Sequence, residues 1–193
     1  IFTTDIISFL FKNLNPKNLY ELGHDGVFVL NKMYSARSAI ISFSEFLKLA
    51  FSVYLDVDPN EFKVGQQNKR EDGVETLQIF VADTLENGAG YVRQFSDKEK
   101  LSQAIGNFYN SVTKNIANQK NFDMNWDDTE KEHIDCDSSC QDCLRSFSNR
   151  RVHNSLDWRL ALDLAEISLG KTLNTNRWFS HSEKIAKTFF NLF

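Results

Sequence analysis

The chain has 193 residues, of which 41% are hydrophobic and 25% charged, and a formal net charge of −4. That balance fits one globular domain, alone or with a small appendage. It excludes a protein that grips nucleic acid over its whole surface and leaves room only for a local basic stripe.

The chain opens Ile-Phe-Thr-Thr-Asp, without a Met and inside an apolar run, and reads as a piece of a longer protein. The start lacks the basic region of a signal peptide and carries Asp5 early. No stretch reaches about 18 uncharged apolar residues, so no membrane span is expected and the expected location is cytoplasmic.

Residues 2–14 carry Phe2, Ile6, Ile7, Phe9, Leu10 and Phe11 and predict a buried strand, with helix as the competitor. Residues 15–34, with Pro16, Gly23 and Gly26, read as a loop that holds a short strand over 27–30. Apolar residues from Ile40 to Tyr54 recur at helical spacing and predict a long core helix over 35–55, stopped by Asp58-Pro59. A short strand over 62–66, a charged turn over 69–73 and a buried strand over 74–82 follow. Ser96 is the expected cap of a helix over 97–117, with Leu101, Ile105, Phe108, Tyr109 and Val112 on one face. Residues 118–135 are polar and acidic around Trp126 and read as a solvated loop. Ser155 is the expected cap of a helix over 156–169 that Gly170 ends. An amphipathic segment over 182–193 closes the chain. Phe is abundant, at 17 residues, and points to a ring-rich core. The order implies an α+β or α/β fold, a small mixed sheet flanked by helices, with a cysteine-rich loop.

All three cysteines of the chain lie in one C-x3-C-x2-C run, Cys136, Cys140 and Cys143. So close a cluster does not form a disulfide framework and fits a metal or thiol site. A tetrahedral Zn²⁺ site needs one more ligand. His153, ten residues after Cys143, is the expected fourth, and His133, three residues before Cys136, is the reserve. The alternative is a reduced thiol cluster without metal. The same spacing serves iron–sulfur clusters in radical enzymes built on a large barrel, but too little chain follows for that barrel.

Gly88 and Gly90 allow positive φ after the strand over 74–82, and such a turn can present N–H groups to an anion. Asp83 and Glu86 would repel that anion, and there is no Lys-Ser/Thr or third glycine of a nucleotide loop. Arg145, Arg150 and Arg151, with Phe147 among them, suit a nucleic-acid backbone and its bases. The plainer expectation is that they pair with Asp135, Asp137, Asp142 and Asp157. Asp163 and Glu166 at i, i+3 could hold a metal or form a solvated face.

Three blocks together resemble a known family: Thr3-Thr4-Asp5, the run from Phe80 to Tyr91, and the run from Cys136 to Asn149 leading into residues 156–163. They are similar to the MrfA-type zinc-binding domain, found at the C-terminus of DEAD/DEAH-box helicases and in the DrmB component of DISARM anti-phage systems. The resemblance covers residues 1–170 and leaves 171–193 as a helical extension. It implies a structural Zn²⁺ module that accompanies a helicase motor or complex subunit in DNA repair or phage defence, is not itself the motor, and contacts DNA or a partner. The family's site has four cysteines, and Asn149 stands where the fourth would be. The alternatives are a metal-dependent nuclease or hydrolase using Asp83 and Glu86, or a pure protein-interaction module.

Overall fold

The computed structural model describes residues 3–10, 34–71, 74–117 and 136–190. Three strands form one sheet: β1 (Ile6–Leu10), β2 (Phe62–Glu71) and β3 (Val74–Asp83), in the order β1-β3-β2. Both pairings are antiparallel. The class is therefore α+β, and the expectation of a mixed sheet narrows to an antiparallel one.

The centre of the sheet is β3, whose Ile79 and Val81 are fully buried. At its edge, β1 is not the buried strand expected from its apolar content. Ile6 is 62% exposed, while Ile7 and Phe9 are half-buried and pack on the core. In an antiparallel sheet packed on one face, alternate residues turn to core and to solvent, so the apolar residues of β1 divide between the two. The β2–β3 ladder runs on through Lys69, Arg70 and Glu71, expected to be a turn, to the pair Glu71↔Val74. The Asp72-Gly73 pair left between the strands is the favoured sequence for a two-residue hairpin connection.

Among the described residues there are four α-helices, α1 (Tyr34–Leu55), α2 (Lys98–Ala117), α3 (Trp158–Ser168) and α4 (Asn176–Phe190), and α1 packs on the sheet. Contacts on several sides make α1 the spine of the core, since it touches β2, β3, α2 and α3. Its small residues allow this. Ser42, Ser44 and Ser52 are buried, and Ser44 and Ser52 return their hydroxyl protons to the carbonyls of Ile40 and Lys48 one turn back. By length and composition alone α1 would pass as a membrane span, though it carries Glu45 and Lys48 among its apolar residues. Most of that stretch is buried inside the protein, as in the core helix of a folded domain. The abundant Phe does form a ring core: Phe51 stacks on Phe95 at 3.8 Å between centroids, and Phe46 meets Phe108 at 4.9 Å.

Two helix caps differ from expectation by a residue or two. Asp97, not Ser96, caps α2, accepting from the Glu99 and Lys100 N–H groups. The Ser96 hydroxyl instead donates to Arg93 O and closes a 3-10 turn over Val92–Ser96. Likewise Asp157 caps α3 through the Arg159 N–H, because Ser155 is the last residue of a 3-10 turn over Arg150–Ser155. In both places a carboxylate at the N-terminus also meets the helix dipole. Gly170, at φ +66°, ends α3 as expected. The loop over 15–33, its strand over 27–30 and the acidic segment 118–135 lie outside the described residues.

Candidate metal centre

The segment after residue 135 folds into a tight turn. Cys140 O accepts from the N–H groups of Cys143 and Arg145, at 3.3 and 2.9 Å. The Cys140 N–H points at Cys143 Sγ, at 3.0 Å. This curl brings the sulfurs together. Cys143 Sγ lies 3.8 Å from Cys136 Sγ and 3.7 Å from Cys140 Sγ, and all three lie within 4.8 Å of one another. None is disulfide-bonded. A tetrahedron with metal–sulfur bonds near ~2.3 Å has sulfur–sulfur edges of about 3.8 Å. The two short edges match that figure, and the soft donor set fits a thiophilic ion, so the three cysteines can hold a metal ion.

Without an ion the cluster is a set of thiols. Hydrogen bonding to Cys136, together with burial, pushes the Cys143 thiol up to about 12. A metal would have to displace that proton, and metal uptake would release it to solvent.

The cysteine turn is anchored by the two helices that follow. Ser138 O accepts from the Trp158 N–H at 2.9 Å, and Cys136 O from the Trp158 indole at 3.4 Å. The Arg159 guanidinium donates to Asp137 O, pairs with Asp157 at 3.0 Å and lies over the rings of Trp158 and Trp178. From α4, Lys184 pairs with Asp137 at 2.7 Å, which holds that carboxyl below the usual range.

His153, the expected fourth ligand, is not brought to the sulfurs. Its Nε2 lies 3.0 Å from Ser146 O and 2.9 Å from Asn149 Oδ1. Among the described residues no imidazole or carboxylate lies within 4.8 Å of all three sulfurs. His133 lies outside the described residues. Asn149 is buried and spans the loop, donating to Leu144 O and accepting from the Ser146 N–H. Beneath it sits Glu45 of α1, whose carboxyl burial pushes up, against hydrogen bonding to Asn149 and the nearby Lys48 and His153.

The glycine turn offers no open anion cradle. Asp83 is fully buried, and its two carboxylate oxygens accept from the N–H groups of Tyr91 and Val92, at 3.1 and 3.0 Å. The anion held by these backbone amides is the chain's own carboxylate. Asn87, Gly88 and Gly90 all have positive φ, from 68° to 78°. The turn also docks on the entry strand, where Thr3 O accepts from the Asn87 N–H and the Thr4 hydroxyl lies 2.8 Å from Asp83 O. The hydrolase alternative thus loses Asp83, while Glu86 stands exposed on the turn.

Among the described residues Arg145, Arg150 and Arg151 form no ion pair with Asp137, Asp142 or Asp157, and Asp135 lies outside the described residues. Asp137 is taken by Lys184 and Asp157 by Arg159. Arg150 and Arg151 are exposed, and the guanidinium of Arg150 sits 4.4 Å from the Phe147 ring centroid. Arg145 is half-buried and donates to Ser139 Oγ at 2.9 Å, which ties it to the cysteine turn.

The solvated face expected for Asp163 and Glu166 is also corrected. Glu166 is 1% exposed and accepts from the Tyr109 hydroxyl, the Asn174 N–H and the Arg177 guanidinium. Asp163 pairs with Arg177 at 3.1 Å and accepts from the Trp178 indole at 2.8 Å. Glu166 lies four residues after buried Leu162 and next to buried Ala165, so helical spacing alone could have placed it on the core face.

No family model matches the chain, and no solved structure matches it. The chain is similar to the Druantia protein DruE of Escherichia coli (strain UMEA 4076-1), at 30% identity over 145 residues. That stretch is 73% of this chain and 7% of DruE, so the chain spans only a small part of the length of its curated relative.

Proposed function

We propose that the chain is an accessory zinc-binding domain of a helicase-related anti-phage defence protein, with the metal in a structural role. The observation that carries this reading is the convergence of three sulfurs, two of their edges at tetrahedral distances, in a chain similar to the Druantia protein DruE. Cys136, Cys140 and Cys143 would supply three ligands to Zn²⁺. The fourth is His153, which would have to leave Ser146 and Asn149, or His133. His153→Ala and His133→Ala separate the two by which variant loses zinc. The metal would lock the cysteine turn onto α3 and α4, where Trp158, Arg159 and Lys184 already hold it.

This domain would accompany a helicase motor or complex subunit and contact DNA through Arg150 and Arg151, with Arg145 behind them. Residues 1–170 would be the domain proper and 171–193 its helical extension. We expect no ATP hydrolysis by the chain itself, since it carries no nucleotide-loop lysine. Protein interaction is a second reading, favoured by the exposed Phe179, Ile185, Phe189 and Phe190 of α4. Cys143→Ser in the native protein should abolish protection of the host against phage. Undiminished protection would contradict the defence role of the metal centre.

A further inference from the structure

Two segments meet on one side of the molecule, residues 34–44 at the start of α1 and residues 144–154 after the cysteine turn. The Tyr34 hydroxyl donates to Asn154 O at 2.9 Å, and at the rear Ser42 bonds Ser155 O and the Asp157 N–H. Together these segments hold Arg37, Arg145, Arg150, Arg151 and His153, and neither contains an Asp or Glu. In a chain of net charge −4, positive charge is concentrated here. Arg37, Arg150 and Arg151 are exposed, and among the described residues none of them pairs with a carboxylate. Just inside the patch, Glu45 is buried, and burial favours its neutral form.

Two rings stand out of the same patch. Phe147 is 83% exposed and Tyr34 is 70% exposed. An aromatic ring in that position has no part in the core. The backbone beneath it is well held: Asn149 bridges Leu144 and Ser146, and Arg145 bonds Ser139 on the cysteine turn. A projecting ring on a fixed loop, with a guanidinium over one face and exposed arginines around it, matches the chemistry of an unstacked base with its flanking phosphates. A duplex hides its base faces and offers a ring nothing to stack on.

We propose that this patch binds single-stranded DNA, with a base stacked at Phe147 and phosphates held by Arg37, Arg150 and Arg151. Arg145 is a positioning residue that fixes the loop. The proposal rests on the reading that the domain contacts DNA, and adds the strand type and the ring that reads it.

The test is a fluorescence-anisotropy titration of the whole 193-residue chain against a labelled thymidine oligonucleotide, its duplex and its RNA counterpart. The single DNA strand should bind tighter than the duplex and the RNA. Phe147→Ala should weaken that binding roughly 5- to 100-fold and leave the dependence on salt unchanged. Arg150→Gln with Arg151→Gln should flatten the slope of log affinity against log salt by about 0.7 per lost phosphate contact. All three substituted residues are exposed, so melting temperatures should match the wild type and certify the fold. If the arginine variants weaken binding but Phe147→Ala does not, the stacking site is wrong and the DNA-contacting reading survives. Tighter binding of duplex or RNA overturns the assigned occupant. No binding to any of the three overturns both the site and the DNA-contacting reading, and zinc content measured on the same samples leaves the metal centre to be judged separately.

Discussion

The glycine turn after β3 and the cysteine turn before α3 look alike in sequence: each gathers chemistry-bearing residues into a few positions of irregular backbone. The structure separates them. In the glycine turn the buried carboxylate is already satisfied, with Asp83 spending both oxygens on the amides of Tyr91 and Val92. In the cysteine turn the backbone is equally well bonded, and it brings three sulfurs together at one point. A turn whose polar groups satisfy each other is architecture. A turn that gathers three soft donors of one chemical kind at one point has the makings of a metal site.

The largest expected effect tests the first half of that contrast. Asp83→Ala would strand two amides in or near the core and should cost about 2–5 kcal/mol of stability, read as a lower denaturation midpoint. If Asp83→Ala folds as stably as wild type but loses function, the turn is a working surface rather than architecture. Gly88→Val should follow, at about 1–3 kcal/mol. It combines a φ of +72° with a Cβ that would sit 2.7 Å from Asp5 Oδ2 and 3.1 Å from Asp5 N. Gly90→Val has the same backbone strain, at φ +78°, but open space around it, and should cost less. Equal losses at the two glycines would mean that docking of the turn on the entry strand contributes nothing.

On the cysteine side, chelation of the metal should speed hydrogen exchange at residues 136–159 and leave β3 protected. Uniform loosening would show that the metal centre supports the whole core. Metal affinity should also rise with pH, because each thiol must lose its proton and Cys143 holds its own up to about 12. The smallest effect lies away from both turns. Burial, and then the hydrogen bond to Glu166, hold the Tyr109 phenol up to about 12 against an ordinary 10. The fold favours the neutral phenol, so this contribution is complete below pH 10 and is lost as the pH rises towards 12. Melting temperatures across that window should fall more steeply for wild type than for Tyr109→Phe.

Much of the fold was legible in local pattern. The 3.6-residue spacing of α1 and α2, the apolar run of β3 and the stop at Gly170 each express a single physical rule. What failed depended on partners distant in sequence. Ile6 reads as core until the strand is seen to turn Ile7 and Phe9, and not Ile6, to the packed face. Glu166 reads as solvated until Arg177 and Tyr109 are brought to it. The cysteine cluster was legible because three sulfur donors fall within eight residues, whereas the surroundings of His153 depend on how Asn149 folds the loop back on itself. The arginines looked paired in sequence, and only the capture of Asp137 by Lys184 and of Asp157 by Arg159 takes those two partners from them.

The central claim is that the converging sulfurs form a metal centre. Elemental analysis of the purified 193-residue chain tests it most directly. About one Zn²⁺ per chain, with Zn–S distances near ~2.3 Å by X-ray absorption, is the predicted result, lost in Cys143→Ser. Iron with a visible charge-transfer band, or no metal and three titratable thiols in the folded protein, would contradict it.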